Sequence, residues 1–220
     1  MATFGLISEG ITDQIVIENI LIGLLNDDDF SVDPLQPARD ATDEDLATSH
    51  GNWHKVFEYC QTQRFKDAVL NMDFVIIQMD ADIFKTQQLP PNYQVALAPN
   101  ISSDEAVISI KEKIIDLIDR DFYLSNHQKI IFAIAVDAIE CWLLPIYYQN
   151  QVAKASKTTG CLKSLNEKLS KDEGFTIDKK APKYYRIASK KYQKHKDSKN
   201  LYDLNPSLRI FIEDVQQIIP

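Results

Sequence analysis

The sequence predicts an α/β protein, a mainly parallel sheet flanked by helices and followed by a basic helical extension, on three observations. Short apolar runs with β character alternate with amphipathic stretches of ten or more residues, the pattern of βαβ units with right-handed crossovers. Two of the runs, Asp73–Met79 and Lys129–Val136, are almost continuously apolar, as in strands covered by helices on both faces. Beyond Asn150 the composition turns to Lys, Ser and Tyr. With 220 residues, 45% of them hydrophobic, the chain is long enough for one substantial core. The expected division is an α/β domain over 1–150 and a basic helical extension over 151–220 packed on it.

Thr3–Ser8 is a first strand, stopped by Glu9-Gly10, where glycine permits a sharp turn. Thr12 offers an N-cap hydroxyl for an amphipathic helix to Leu25. Phe30–Leu35 predicts a short strand that Pro34 and Pro37 hold near a sheet edge. Arg39–His50 is an acidic loop, after which Asn52 caps a helix from Trp53 toward Leu70 with Val56, Phe57, Cys60 and Phe65 inward. Asp73–Met79 is the third strand, and the Gln- and Pro-rich stretch 84–100 is a loop. Ser102, Ser103 and Glu105 open a helix that runs to about Arg120. Lys129–Val136 is the fourth strand, and Ala138–Tyr148 is a helix with Trp142 and Leu143 inward. In the extension, Leu162–Ser170 and Pro182–Lys194 predict basic helices, and Asn205 caps a closing helix over Pro206–Ile219. The order is β-α-β-α-β-α-β-α, with no internal repeat.

The net charge of −8 conceals an asymmetry. Residues 1–150 carry nine Lys/Arg against 24 Asp/Glu, whereas residues 151–200 carry 14 against five. An acidic body thus bears a basic segment, which suggests a division of labour. The longest apolar runs fall short of the roughly 20 residues of a membrane span, and the N-terminus lacks a secretory signal pattern. The expected location is therefore cytoplasmic, without membrane association. The cysteines Cys60, Cys141 and Cys161 are odd in number and widely spaced, which predicts reduced, buried thiols.

Ligands of a parallel α/β sheet bind at the carboxyl ends of its strands. Glu9 directly follows the first strand, and Asp80 and Asp82 follow the third. Residues i and i+2 of an extended segment point the same way, so the two aspartates can converge, and adjacent strands would bring Glu9 to them. Carboxylates that close repel unless a cation neutralises them, and hard oxygen donors suit Mg²⁺ or Mn²⁺. The plainer reading of Asp80 and Asp82 is as turn and cap residues at a strand end. Asp137 and Glu140, three residues apart, either add metal oxygens or serve the N-terminal end of their helix. Asp13 has the same two readings.

The pattern SEGITD at 8–13, followed about seventy residues later by QMDADI at 78–83, resembles the Toprim fold of primases, topoisomerases and OLD-type nucleases. That family, which is Rossmann-like, places a glutamate after its first strand and a DxD after its third. The stretch AVDAIECWLLP at 135–145 is similar to a segment of small stand-alone Toprim-like proteins found among bacterial anti-phage genes, with Glu140 as the matching acid. After the DxD, Ile83-Phe84-Lys85 depart from the glycine or third acid often found there. The resemblance covers roughly residues 1–150. It implies Asp80 and Asp82 as Mg²⁺ ligands, Glu9 as a metal ligand or general acid/base, and Gly10 as the residue of the tight turn. The implied activity is metal-dependent hydrolysis of DNA or RNA by an effector of anti-phage defence. The alternative from another class is a non-catalytic subunit docking on a larger ATPase or sensor protein.

The basic segment also has two readings. Lys179, Lys180, Lys183, Arg186, Lys190, Lys191, Lys194 and Lys196, interleaved with Tyr184, Tyr185 and Tyr192, can grip a phosphate backbone and stack bases. Lys183 or a nearby lysine is then expected to stabilise charge on a pentavalent phosphate. Otherwise the segment is a solvated face or docks on the acidic body of a partner chain. Other chemistries are set aside: the four histidines show no HExxH spacing, and there is no GxGxxG, GxxxxGK[ST] or GxSxG.

Overall fold

The computed structural model describes residues 1–25, 29–39, 53–85, 89–98, 100–177, 181–194 and 200–219. Its centre is a sheet of four parallel strands: β1 (Ala2–Ile7), β2 (Phe30–Gln36), β3 (Phe74–Asp80) and β4 (Ile130–Ala135), in the order β2-β1-β3-β4. The register sets Phe4 beside Phe74 and Val75 beside Ile130. From β1 the chain steps outward to β2, then returns across β1 to β3. The strand order therefore reverses between β1 and β3, the place where open α/β sheets form a crevice at their carboxyl ends.

Period-two alternation makes both faces of the inner strands apolar. Phe4, Leu6, Ile76, Ile131 and Ala133 face one helical layer. That layer contains α1 (Ile11–Leu25), α6 (Glu140–Tyr147), α8 (Cys161–Asp172) and α9 (Pro182–Ser189). Ile7, Val75, Ile77, Phe132 and Ile134 face the other layer, of α2 (Trp53–Cys60), α3 (Gln63–Asn71) and α4 (Ser103–Ile118). The last helix, α10 (Pro206–Ile218), stacks Phe211 on Trp142 and lies along the outer strand β4. There the Val136 N–H donates to Ser207 Oγ at 3.2 Å, so the extension covers an edge that would otherwise invite pairing with another chain. Two short helices, α5 (Arg120–Asn126) and α7 (Val152–Ala155), also lie among the described residues.

The four strands, the edge position of β2 and the closing helix capped by Asn205 agree with the sequence reading. Several details differ. The single helix expected from Trp53 to Leu70 is two, because the Thr62 hydroxyl donates to the Tyr59 carbonyl and then accepts from the Phe65 N–H as cap of α3. Asn52, its expected cap, and most of the acidic loop lie outside the described residues, as do Lys179, Lys180 and Lys196. Thr12 is not a cap, since α1 begins at Ile11 and buries Thr12 within its first turn. Asp119, at φ 92°, ends α4 and caps α5, a helix the sequence pattern did not separate. Pro182–Lys194 is α9 followed by a 3₁₀ turn over Lys190–Gln193.

The extension is anchored by close approach. A Cβ at Gly23 would stand 1.7 Å from the Tyr192 carbonyl oxygen, so only glycine lets α1 meet the Lys190–Gln193 turn. Asn19 donates to Ser189 Oγ at 2.6 Å and accepts from Gln193 Nε2 at 2.8 Å. The thiols are also a correction. Cys141 and Cys161 form a disulfide, their Cα atoms 5.0 Å apart, and only Cys60 is free and buried. Packing of α6 on α8 brings together residues whose spacing in sequence says nothing of contact.

Candidate acidic site

The crevice between β1 and β3 holds the acids. The Ser8 hydroxyl donates to the Gly10 carbonyl at 2.9 Å, closing the turn that lifts Glu9 off β1. Glu9 Oε1 accepts from the Asp80 backbone N–H at 2.8 Å, tying the two strand ends together. Gln78, wholly buried in β3, accepts from the Glu9 N–H through Oε1 at 3.2 Å and donates through Nε2 to Asp80 Oδ1 at 2.9 Å. The strand alternation that turns Ile76 toward the α1 layer turns Gln78 and Asp80 the same way.

That layer supplies three more groups. Asp13 stands in the first turn of α1, Glu140 opens α6, and Tyr185 projects from α9. The Tyr185 hydroxyl donates to Glu140 Oε1. Burial pushes the Tyr185 pKa up, and the charges of Glu140, Asp13 and Asp80 push it further. All three carboxylates are therefore within electrostatic reach of one phenol. Glu9, Asp13, Asp80 and Glu140 are 8%, 1%, 3% and 3% exposed, an unusual density of buried acid.

Asp82 does not follow the extended geometry that the DxD reading assumed. The chain curls into a 3₁₀ turn over Ala81–Lys85, leaving Asp82 exposed and its N–H donating to the Asp137 carbonyl at 2.9 Å. Asp137 is neither cap nor helical neighbour of Glu140. It sits before α6 at φ 75° and pairs with Lys85 at 2.5 Å. The side chain of the α6 N-cap, Ile139, makes no capping bond.

Among the described residues, one trio of His, Cys, Asp or Glu donor atoms lies within 4.8 Å of one another: Asp137, Cys141 and Cys161. Two of its members are the disulfide, whose sulfurs are not thiolates, so the trio does not suit a hard cation. Glu9 and Asp80 thus meet at the crevice, whereas Asp82 is turned out of it, and the three do not converge that closely. The donors around it are all oxygen, the chemistry that Mg²⁺ and Mn²⁺ accept.

Of the basic residues, Lys183 is exposed with its ammonium 5.0 Å from the Tyr184 ring centroid. Two positions from Tyr185, it leaves the helix on a different face and is not presented to the acids as Tyr185 is. Lys191 stands 5.7 Å from the Tyr147 ring, and Arg186, Lys190 and Lys194 are exposed. Tyr185 and Tyr192 are buried and Tyr184 stacks on Phe175, so Tyr185 and Tyr192 are not available to stack bases.

Sequence reasoning missed Gln78 and read Tyr185 as a base-stacking residue, not as a partner of the acids. A glutamine within the apolar run FVIIQM is a usable signal, because a polar side chain in a covered strand must be satisfied by something specific. Tyr185 gives no comparable sign. Fold and site together define a Rossmann-like α/β protein with an acidic crevice at its topological switch point. The chain matches no family model, no curated protein and no solved structure. Among the described residues no helix is long and apolar enough to cross a membrane.

Proposed function

We propose that the chain is a Toprim-like, Mg²⁺- or Mn²⁺-dependent nuclease that hydrolyses phosphodiester bonds of DNA or RNA, acting in the cytoplasm as an effector of anti-phage defence. The observation that carries the reading is the linkage of Glu9 and Asp80 across the switch point, with Gln78 fixing both. The defence context rests on the likeness of residues 135–145 alone.

A divalent ion bound there would neutralise the scissile phosphate and lower the pKa of the attacking water. Asp80 would hold it from β3, its carboxylate oriented by the Gln78 amide. Glu9, tied to the Asp80 N–H through Oε1, would bind the ion or accept a proton from water. Asp82, exposed on the turn after β3, would join the ion only by turning inward. Glu140, which accepts from the Tyr185 hydroxyl at Oε1, would add a further carboxylate to the ion's surroundings. Lys183 has no role in this arrangement.

The test is titration of Mn²⁺ and Mg²⁺ into the wild type and an Asp80→Ala/Asp82→Ala variant of equal circular dichroism, with cleavage of DNA and RNA followed in parallel. Metal binding and cleavage lost in the variant, and cleavage lost in Glu9→Gln, are expected. One observation favours a second reading, a subunit that docks on an ATPase or sensor protein. Glu9, Asp80 and Glu140 already accept hydrogen bonds within the fold, as structural acids do. Folded wild type that takes up no metal at millimolar concentration would decide for it.

A further inference from the structure

The donor atoms of Asp137, Cys141 and Cys161 lie within 4.8 Å of one another, and they arrive from separate elements. Asp137 belongs to the turn after β4, Cys141 to the first turn of α6, and Cys161 is the first residue of α8. Both cysteines therefore stand at helix N-termini, whose N–H groups favour a thiolate. That preference has no effect while the sulfurs are bonded to each other. It acts once the bond is reduced.

The sulfurs are held together by more than their bond. The Tyr148 hydroxyl donates to the Ser164 carbonyl at 2.9 Å, joining the chain after α6 to α8. Asn205, wholly buried, donates through Nδ2 to the carbonyls of Cys141 and Lys157, at 3.4 Å each, and so clamps the two segments that carry the cysteines. Leu144, Leu165 and Leu169 share one apolar core with both helices. Reduction thus leaves two thiols facing each other in a frame whose Cα atoms stand 5.0 Å apart.

Asp137 divides its carboxylate between two neighbours. Oδ1 pairs with Lys85 Nζ at 2.5 Å, while Oδ2 is the oxygen turned to Cys141 Sγ, at 4.0 Å. One oxygen is oriented by a cation and the other is presented to the sulfurs, which is how outer partners fix a ligating carboxylate. A tetrahedral zinc ion, about 2.3 Å from sulfur and about 2.1 Å from oxygen, sets its ligand atoms roughly 3.5–4 Å apart. The carboxylate is already at that spacing. Two thiolates and one carboxylate around a dication, with Lys85 beside them, sum to neutral, so no uncompensated charge enters a largely buried place. The Asp137 side chain is 19% exposed, which leaves an approach for the ion and for water as fourth ligand.

We propose that the chain has a redox-gated Zn²⁺ site, made of Asp137 Oδ2 and the thiolates of Cys141 and Cys161 when their disulfide is reduced. A dithiol supplies two electrons and two protons to the S–S bond and leaves as its own cyclic disulfide. Zn²⁺ then displaces both thiol protons to solvent as the two Zn–S bonds form. Thiolate donors select zinc over Mg²⁺, so this site is chemically distinct from the oxygen donors at Glu9 and Asp80 and does not depend on the nuclease reading.

The experiment uses the full chain, oxidised or reduced with dithiothreitol and desalted under argon, with Co²⁺ as a spectroscopic probe and Zn²⁺ as its competitor. The reduced wild type is expected to keep its circular dichroism and to show a thiolate-to-cobalt charge-transfer band that a single equivalent of Zn²⁺ abolishes. The oxidised wild type, which retains the Cys60 thiol, is expected to show none. Asp137→Asn, suited to the φ of 75° and so folded, is expected to bind at least about tenfold more weakly, since loss even of an outer-shell partner costs about 10–100-fold. Asp80→Ala is expected to keep the band, so failure of the acidic site and failure of this one are read separately. No band in the reduced chain, an equal band in the oxidised chain, unchanged affinity in Asp137→Asn, or loss of helix on reduction would overturn the proposal.

Discussion

Replacing Gly23 by alanine sets two physical effects against each other with opposite signs. By helix propensity alone the change stabilises α1, since glycine in a helix interior costs about 1 kcal/mol relative to alanine. The contact says the reverse. The new methyl would begin 1.7 Å from the Tyr192 carbonyl oxygen and 2.9 Å from its carbon, both backbone atoms that cannot rotate aside. To reach ordinary contact, near 3.5 Å, the Lys190–Gln193 turn must retreat by about 1.5 Å or more. Overpacking of this kind costs about 1–3 kcal/mol, and more where backbone must move. Retreat also stretches the bonds from Asn19 to Ser189 and from Gln193 to Asn19, each worth about 1 kcal/mol. The expected net loss is about 2–4 kcal/mol, or roughly 5–15 °C in Tm for a chain of this length. Urea unfolding followed by circular dichroism at 222 nm measures it. A variant as stable as the wild type, or more so, would show that the extension is not seated on α1 through this contact.

Three further outcomes are expected. Asn205→Ala removes the α10 cap to the Leu208 N–H and buried bonds to the Ser207 hydroxyl and Cys141 carbonyl, and should cost about 1–3 kcal/mol in thermal melts. Tyr192, wholly buried and donating to the Trp142 carbonyl, has its pKa raised by burial from 10.0, so its contribution is complete below pH 10 and is lost as pH rises toward the folded-state value. Urea curves between pH 10 and pH 12 should lose stability more steeply in wild type than in Tyr192→Phe, by up to about 1.4 kcal/mol per pH unit. At Asp137, φ 75° favours glycine, so Asp137→Gly should lie within about 1 kcal/mol of wild type while Asp137→Ala, which keeps the strain and loses the Lys85 pair, should be the less stable of the two in urea titrations.

The parts of the fold that local pattern controls were legible. Asp73–Met79 and Lys129–Val136 could only be covered strands, and the Ser-Glu capping box at Ser102 and Glu105 marked the start of α4. Ordinary parity also carried Asp80 to the right face. Where the backbone leaves regular geometry, parity fails, as at Asp82, which a 3₁₀ turn rotates away from its partner two residues back. Asp119 and Asp137 adopt positive φ without being glycine or asparagine, and nothing in their neighbours announced it. Long-range pairings were the least legible. Glu140 with Tyr185, and Cys141 with Cys161, depend on how α8 and α9 lie against α6, which apolar stripes alone do not settle.

The extension is the element that most changes the functional picture. Read from charge alone, its lysines form a surface for polyanions and its tyrosines supply stacking. Folded, its apolar stripe turns inward: Tyr185 reaches the acids, Tyr192 seals against Gly23 and α6, and Ala188 enters the core. The positive charge is left on the opposite side of α9, facing outward over α1. Positive charge is thereby kept beside the buried carboxylates but not among them, where Lys183 had been expected. A cation placed directly against Asp80 would satisfy the carboxylate and remove the reason for a metal to bind. Through Tyr185, which donates to Glu140, α9 is tied to the acids, so any shift of α9 along α1 alters their surroundings.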